Sequence, residues 1–484
     1  MSKTLFDNRQ MLSAFHWFKC EGDFFLVDIK QQRFFEVNPL VYHLLQMDPP
    51  NFLQTTRDLY EHYGKEMVDE GINYLHRMAE GAVELKVPFS EEDIIDCYSR
   101  APVTTVNLLV SYSCNMTCSY CYAGNIVHKS KSSRLMPENV ARQAVDCFLT
   151  LKQQSEPRKI TFKFSGGGEP LLNFEVIRNI IEYASSHPLA RVVDVRFKLS
   201  TNGINLTEKI LRYFQARSVE VKISIDGDRH IHERNRHPKR EDGSFAYLLS
   251  NINKALEILT PRKVVAAITY TDTRELPEIF SYVTSLGFRR IKSQGAITRQ
   301  DYTVMEQEQA YKGVRTLFLT YLHHLHEAVD DGRPMKDYPS FEAVDMYIEG
   351  LNRQHYIRHV ACFAGIYDCA VSPDGSIYSC NRFAEQPEHR MGHVSRGISE
   401  DWRRKFIGKT NIFHRPKCLK CWLVYWCGGE CNYRNYITGD SMLEPNKLTC
   451  ASLKAFFEHA IWFYSRLRNE NPALLETIVK RSIF

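Results

Sequence analysis

The chain has 484 residues, 44% hydrophobic and 25% charged, with a formal net charge of +5; this is ordinary globular composition with room for roughly three domains. The slight, dispersed basic excess is no nucleic-acid footprint, and no stretch approaches the roughly 20 apolar residues of a membrane span. The N-terminus, MSKTLFDNRQMLSAFHWFKCEGD, is polar and interrupted by charge, unlike a secretory signal, so a cytoplasmic protein with neither membrane nor nucleic-acid partner is expected.

In chain order, FHWFKC, DFFLVDI and RFFEVN read as strands, rich in aromatic and β-branched residues. Three helical patterns follow, through Leu40–Leu45, Leu53–Tyr63 and Met67–Met78. Three strands then three helices predict a small winged-helix module over 1–98, and SEEDIID with Pro102 reads as a linker. From 103 to 305 the pattern alternates: VTTVNLLVSY, KITFKFS, VVDVRFKLS, VEVKISI, KVVAAITY and RRIKSQG are strands, separated by helical segments such as FEVIRNIIEYASS. Six β-then-α units predict an α/β fold, a partial (β/α)6 TIM-like barrel whose strand-end loops carry the chemistry. A helical bridge spans 306–361, a cysteine-rich region 362–455, and SLKAFFEHAIWFYSRL opens an amphipathic closing helix in 456–484.

Eleven of the fourteen cysteines fall in two groups, and without a secretory signal metal or cluster ligation explains them better than disulfides. Cys20, Cys97 and Cys147 stand apart and read as small core residues. His323, His324 and His326 share a long helical pattern, but their spacing brings only two to neighbouring faces, as on a solvated surface. The sharpest motif is Cys114-Asn-Met-Thr-Cys118-Ser-Tyr-Cys121, directly after the first barrel strand. Three thiolates in one loop suit three irons of a 4Fe–4S cluster and leave the fourth free. A zinc site would want a fourth ligand, and the nearest histidine, His128, is seven residues on.

This CxxxCxxC loop resembles that of the radical S-adenosylmethionine (SAM) superfamily, and the likeness continues at later strands. Ser165-Gly166-Gly167-Gly168-Glu169-Pro170 resembles the family's Gly-Gly-Glu-Pro loop, which implies that Gly167, Gly168 and Glu169 hold the amino group of SAM. Ser200 and Asn202 of STNG, and Ser224 of SIDG, match the positions that meet the ribose and carboxylate. The resemblance further implies that Arg236 pairs with the SAM carboxylate and that Tyr120 lies near the adenine.

Cys362-x12-Gly375-x4-Cys380, Cys418-x2-Cys421-x5-Cys427-x3-Cys431 and Cys450 resemble the SPASM extension of peptide- and protein-maturing radical SAM enzymes. That likeness implies two auxiliary 4Fe–4S clusters, three in all, one on Cys362, Cys369, Cys380 and Cys431 and the other on Cys418, Cys421, Cys427 and Cys450. Cys369 lies outside the seven-cysteine pattern. Structural zinc knots are the other reading of such spacing.

The segment FFLVDIKQQRFFEVNPLVYHLL resembles the leader-peptide recognition element of ribosomal peptide pathways, a winged helix related to the peptide chaperone of quinone-cofactor biosynthesis. Strand addition to an exposed sheet edge would be its mechanism. Together the likenesses imply a radical SAM oxidoreductase that cleaves SAM to a 5′-deoxyadenosyl radical, takes hydrogen from a leader-bearing peptide and installs a thioether or carbon–carbon crosslink. Its electrons would come from a flavodoxin- or ferredoxin-type donor. Rival readings are an anaerobic sulfatase-type maturase, a peptide epimerase, and a zinc-stabilised binding scaffold. Sulfatase maturases carry an aspartate base after the cysteine matching Cys380, where this chain has Asn381, which cannot take a proton at neutral pH. Glu430, between cysteines of the second group, is available for proton transfer.

Overall fold

The aromatic runs at the N-terminus form an antiparallel sheet in the order β1 (Phe15–Cys20), β2 (Asp23–Asp28), β3 (Arg33–Val37). Alternation splits its side chains between two cores. Phe15 and Leu26 pack with the helices α1 (Pro39–Leu45), α2 (Phe52–Tyr63) and α3 (Lys65–Glu80), whereas Phe18, Cys20, Phe25 and Val27 join the main core of the molecule. The computed structural model describes residues 14–46, 52–80, 90–124, 127, 134–150, 158–239, 244–297, 304–353, 357–439 and 441–482; His128, the alternative zinc ligand, lies outside them.

SEEDIID, expected as a linker, begins a helix, α4 (Glu91–Ser99), whose capping box joins Ser90 and Asp93. A serine followed three residues later by an acid is a helix-start signal, and it outweighed the acidic composition. α4 packs on the cysteine-rich region: Arg404 pairs with Glu92 and Asp96, and buried Arg403 donates to the carbonyls of Tyr98 and Ala101.

The six predicted barrel strands are β4 (Thr105–Leu108), β5 (Arg158–Phe164), β6 (Val193–Thr201), β7 (Glu220–Ser224), β8 (Val264–Tyr270) and β9 (Arg290–Gly295), parallel and in sequence order. Helices return between most of them, including α5 (Glu138–Thr150) and α6 (Phe174–Ser186). One face of each strand is apolar and fully buried beneath the helices, as with Ile160, Phe162 and Phe164. The other face lines the barrel interior and is largely polar, as with Lys163, Ser200 and Lys222, though β8 contributes Ala267 there.

The sheet does not stop at the barrel. Beyond β9 lies β10 (Ser340–Phe341), and at the other end β11 (Asp368–Val371) pairs in parallel with β4 and leads into the antiparallel β12 (Ser376–Tyr378), β13 (Arg390–His393) and β14 (Gly397–Ile398), eleven strands together. The cysteine-rich region thus continues the barrel sheet. The bridge is the 27-residue α10 (Val304–Asp330). The closing helix, α13 (Lys447–Glu470), differs from expectation in its middle turns: Phe456, Phe457, His459, Ala460, Ile461, Trp462 and Phe463 are all buried. That stretch is covered on every side rather than amphipathic, while Lys454, Arg466 and Arg468 are exposed. It touches α10 and also the N-terminal sheet, where His16 stacks on Trp422 at 4.1 Å and bonds Glu458 at 3.1 Å. Among the described residues no helix is long and apolar enough to cross a membrane.

Candidate active site

The loop after β4 is pinned on two sides. Met116–Cys118 pairs with Arg236–Pro238 as a short antiparallel ribbon, placing Cys118 opposite Arg236. On the other side the glycine-rich loop after β5 donates from Gly168 N to Ser111 O at 2.7 Å and from Glu169 N to Ser113 O at 2.8 Å. Glycine is required here by the protein itself: a Cβ on Gly168 would lie 2.0 Å from Ser113 O, and one on Gly167, at φ +66°, would meet the Tyr112 ring at 2.7 Å.

Cys114, Cys118 and Cys121 line one cavity of about 480 Å³, together with Tyr120, Gly167, Gly168, Glu169, Ser200, Asn202, Ser224 and Arg236. Every residue that the sequence assigned to the first cluster or to SAM therefore meets at the carboxyl ends of the barrel strands. Burial pushes the three thiols up, Cys118 to about 11, with Arg236 opposing the rise there. As free thiols they hold protons at neutral pH, and ligation would release them. Three convergent thiols, with Arg236 Nη1 4.0 Å from Cys118 Sγ as counter-charge, fit an anionic iron–sulfur cluster.

Glu169 is buried and heavily bonded: Thr201 Oγ1 donates to it at 2.7 Å, Asn202 N at 2.8 Å and Leu171 N at 3.0 Å. Burial still raises its carboxyl above the usual range. Asn202 Nδ2 reaches back to Asn115 Oδ1 at 2.7 Å, tying the end of β6 to the cysteine loop.

Arg236 is already spoken for. Its Nε lies 2.7 Å and its Nη2 3.4 Å from Asp226, which also accepts from Thr269 N at 2.8 Å and from the Tyr120 hydroxyl. The guanidinium lies over the Tyr120 ring, 5.4 Å from its centroid. Asp226, fully buried, thus fastens the cysteine loop, the ribbon and β8 to one carboxylate. Sequence reasoning missed this role; its signal was an aspartate inside SIDG with an arginine ten residues on.

In the cysteine-rich region two thiol groups assemble. The charges of Cys418, Cys421 and Cys427 bear on Cys450, and those of Cys431 and Cys380 on Cys362. Cys369 is the correction. It lies on β11 with its side chain in the main core, beside Cys147 and Arg403, because alternation turns it away when its neighbour Asp368 faces Thr105 and Lys163 on the barrel side. Two arginines serve the groups. Arg415 is fully buried and bonds Gly429 O at 2.9 Å and Asn432, and no described carboxylate lies within 4.0 Å of it. Cys418, Cys362 and Cys427 bear on it more strongly than any carboxylate does. Arg382 Nη1 lies 3.9 Å from Cys431 Sγ. A buried guanidinium whose main negative neighbours are thiols suits ligating thiolates. Asn381 lines the cavity and donates to the Tyr122 hydroxyl, joining the first cysteine loop to Cys380. Glu430, buried between the groups with φ +64°, has Arg434 at 3.5 Å and is raised by burial; it is not on the cavity wall. On α10, His323 and His324 both face Glu327, and His324 also bonds Ser281, so the histidines do not converge on a site.

Residues 108–282 match the model of the Radical SAM superfamily. A cysteine-type anaerobic sulfatase-maturating enzyme of Clostridium novyi (strain NT) is 23% identical over 72% of this chain and 93% of its own length. Among solved structures, native anSMEcpe with bound AdoMet superposes with a TM-score of 0.61 at 20% identity, covering 76% of this chain and 100% of that one. Native anSMEcpe with AdoMet and the Cp18Cys peptide gives 0.59 at 19% identity over 76% of this chain and 99% of that one. At such identities the structures speak for the fold. With the cysteine loop and the glycine-rich loop meeting at the strand ends of a matching barrel, the chain carries a radical SAM domain and is a radical SAM enzyme that uses a 4Fe–4S cluster and SAM.

Proposed function

We propose that the enzyme matures a ribosomally made peptide by removing two hydrogens and leaving an intramolecular crosslink, a thioether or a carbon–carbon bond. One hydrogen leaves as an atom from a C–H bond and one as a proton from the joining thiol or carbon, whose electron an auxiliary iron–sulfur centre would accept. The observation that carries this reading is a second cavity, of about 500 Å³, in the N-terminal module between the end of β3 and α3, lined by Val37, Leu40, Val41, Met67, Tyr74 and Arg77. β3 pairs only with β2 among the described residues, so its outer edge is open to an added strand, and the cavity beside it, walled by apolar side chains together with Glu36, Glu70 and Arg77, would read a leader's side chains. A reduced 4Fe–4S cluster with SAM supplies the reductive C–S cleavage from which hydrogen abstraction follows. The chain's own part is positional: Cys114, Cys118 and Cys121 ligate, the 166–169 loop and Asn202 orient SAM, and the barrel wall holds one C–H bond and keeps water away. A flavodoxin- or ferredoxin-type protein would deliver the electrons.

Sulfatase-type maturation is the second reading, favoured by the relatives. Against it stands Asn381, whose amide occupies the cavity wall where a carboxylate base would be needed. Anaerobic incubation of the reconstituted enzyme with SAM, reductant and a short peptide encoded beside the gene separates the two by intact mass. Loss of two hydrogens with no carbonyl trapped by a hydrazine reagent supports crosslinking. A new aldehyde, made from serine by loss of two hydrogens or from cysteine by loss of sulfur and two hydrogens with gain of one oxygen, supports sulfatase-type chemistry and sinks the proposal.

Cys418, Cys421, Cys427 and Cys450 would hold one auxiliary cluster, and Cys362, Cys380 and Cys431 would ligate another without Cys369. Cys421→Ala is expected to lower iron by about four per chain and to lose peptide product while deoxyadenosine still forms. Cys369→Ala should keep full iron and lose about 1 kcal/mol of stability or less, as for a small buried side chain. Iron analysis with denaturant unfolding checks both, and a loss of about four irons from Cys369→Ala would return that residue to the ligand set.

For the leader, Met67→Glu with Tyr74→Ala replaces an exposed apolar side chain of the cavity by a third carboxylate beside Glu36 and Glu70 and removes an aromatic wall. Affinity for the leader-bearing peptide should fall at least about ten-fold by fluorescence anisotropy, and unchanged affinity would remove leader recognition from this cavity.

A further inference from the structure

The inward-facing side chains of the barrel form three tiers. At the base, Glu220 meets Lys198 at 3.0 Å and Arg290 at 2.8 Å, and Arg290 also reaches Glu342 at 2.7 Å, so charges are matched. At the mouth, Ser165, Ser200, Ser224 and Thr269 present neutral hydroxyls. Between them stand Lys163, Lys222 and Lys292, from three different strands, all on the cavity wall.

This middle tier is not matched. Lys292 lies 3.7 Å from Glu342, which is already engaged by Arg290. No described carboxylate comes within 4.0 Å of Lys163 or Lys222; Asp368 faces Lys163, and Glu342 and Glu220 face Lys222, from beyond that reach. Burial lowers both amines below the ordinary lysine range, and repulsion among the three lysines lowers them further. Half-buried ammonium groups without a counter-ion are costly in a cavity of low dielectric, and a bound anion would offset that cost. Of the other cations on the cavity wall, Arg236 has its carboxylate in Asp226, and Arg382 is turned to Cys431 Sγ at 3.9 Å and Gln294 at 3.0 Å.

We propose that the middle tier of the barrel binds a carboxylate of the peptide substrate, an aspartate or glutamate side chain held by Lys163 and Lys222 with Lys292 at the rim. The proposal rests on the peptide-modifying reading and narrows it: the segment that enters the cavity carries an acidic residue next to the carbon that reacts. SAM brings a carboxylate of its own, so the experiment must separate the two sources.

The probe is a set of blocked pentapeptides, Ac-Gly-Gly-X-Gly-Gly-NH2 with X as Asp, Glu, Asn or Gln, dialysed anaerobically to equilibrium against the reconstituted full-length enzyme at saturating SAM. An acidic peptide should bind at least about ten-fold more tightly than its amide counterpart, the ratio expected of charge-assisted bonds. The preference should persist in K163R/K222R and collapse in K163M/K222M, with iron content verifying that each variant is folded. Equal retention of acid and amide peptides by the wild type overturns the proposal, and so does a preference that K163M/K222M retains. Loss of SAM retention in K163M/K222M, with no acid preference in the wild type, assigns the lysines to SAM and also overturns it. Dialysis needs no turnover, so acid preference is read independently of whether any peptide is crosslinked, and failure of the crosslinking reading remains a separate result.

Discussion

Replacing Cys118 by alanine is expected to abolish SAM cleavage, with deoxyadenosine falling below about 1% of wild type and iron by about four per chain. Cys118 is the middle thiol of the loop and the residue at which the ribbon pairs with Arg236. Losing a partner outside the ligand set already weakens metal binding about 10- to 100-fold, and a direct ligand matters more. The site offers no substitute, since the cavity wall holds only Cys114 and Cys121 as further thiols. Anaerobic chromatography of the nucleoside product and iron analysis give the result, with Cys147→Ala, half-buried against the core near Cys369, as a control that should retain both. Wild-type cleavage by Cys118→Ala would remove this loop from the cofactor site.

Asp226→Asn should be the most damaging substitution outside the cysteines. Three attachments converge on this carboxylate, and an amide cannot accept all of them. The buried Arg236 would lose its counter-ion, which costs about 3–5 kcal/mol in comparable buried pairs. The expected result is a large drop in the denaturant midpoint, together with loss of iron from the first site as Tyr120 and the ribbon come free. The double change Asp226→Leu, Arg236→Met removes both charges and should recover part of the stability without recovering SAM cleavage. A stability within about 0.5 kcal/mol of wild type for Asp226→Asn would show that the pair does not hold the loop.

The radical SAM barrel was legible because its signals are local and repeated. Strand and helix periods alternate six times, and four short motifs fall at strand ends, so each supports the others. What escaped depends on the third dimension. Cys369 sits among ligating cysteines in sequence, but a one-residue step along β11 turns it to the other side of the sheet. Arg236 looked free for a ligand because its partner, Asp226, belongs to another motif. The charge of SEEDIID hid a helix whose only marker was its capping box. The middle tier of lysines is invisible in sequence, because Lys163, Lys222 and Lys292 come from strands far apart in the chain and look like ordinary surface charges.

The pairing of β4 with β11 has a consequence for how the chain is made. β4 finds one neighbour, β5, about fifty residues later, but its other edge is covered only by Asp368–Val371, some 260 residues further along. Until the ribosome has delivered that segment, the first strand of the barrel presents an open row of amides and carbonyls next to the thiols of the cofactor loop. Long-range closure of this kind is slow. The growing polypeptide is therefore most exposed to aggregation and to oxidation at the very strand that leads into its catalytic loop, and the cysteine-rich segment, on arrival, acts as the clasp that shuts it.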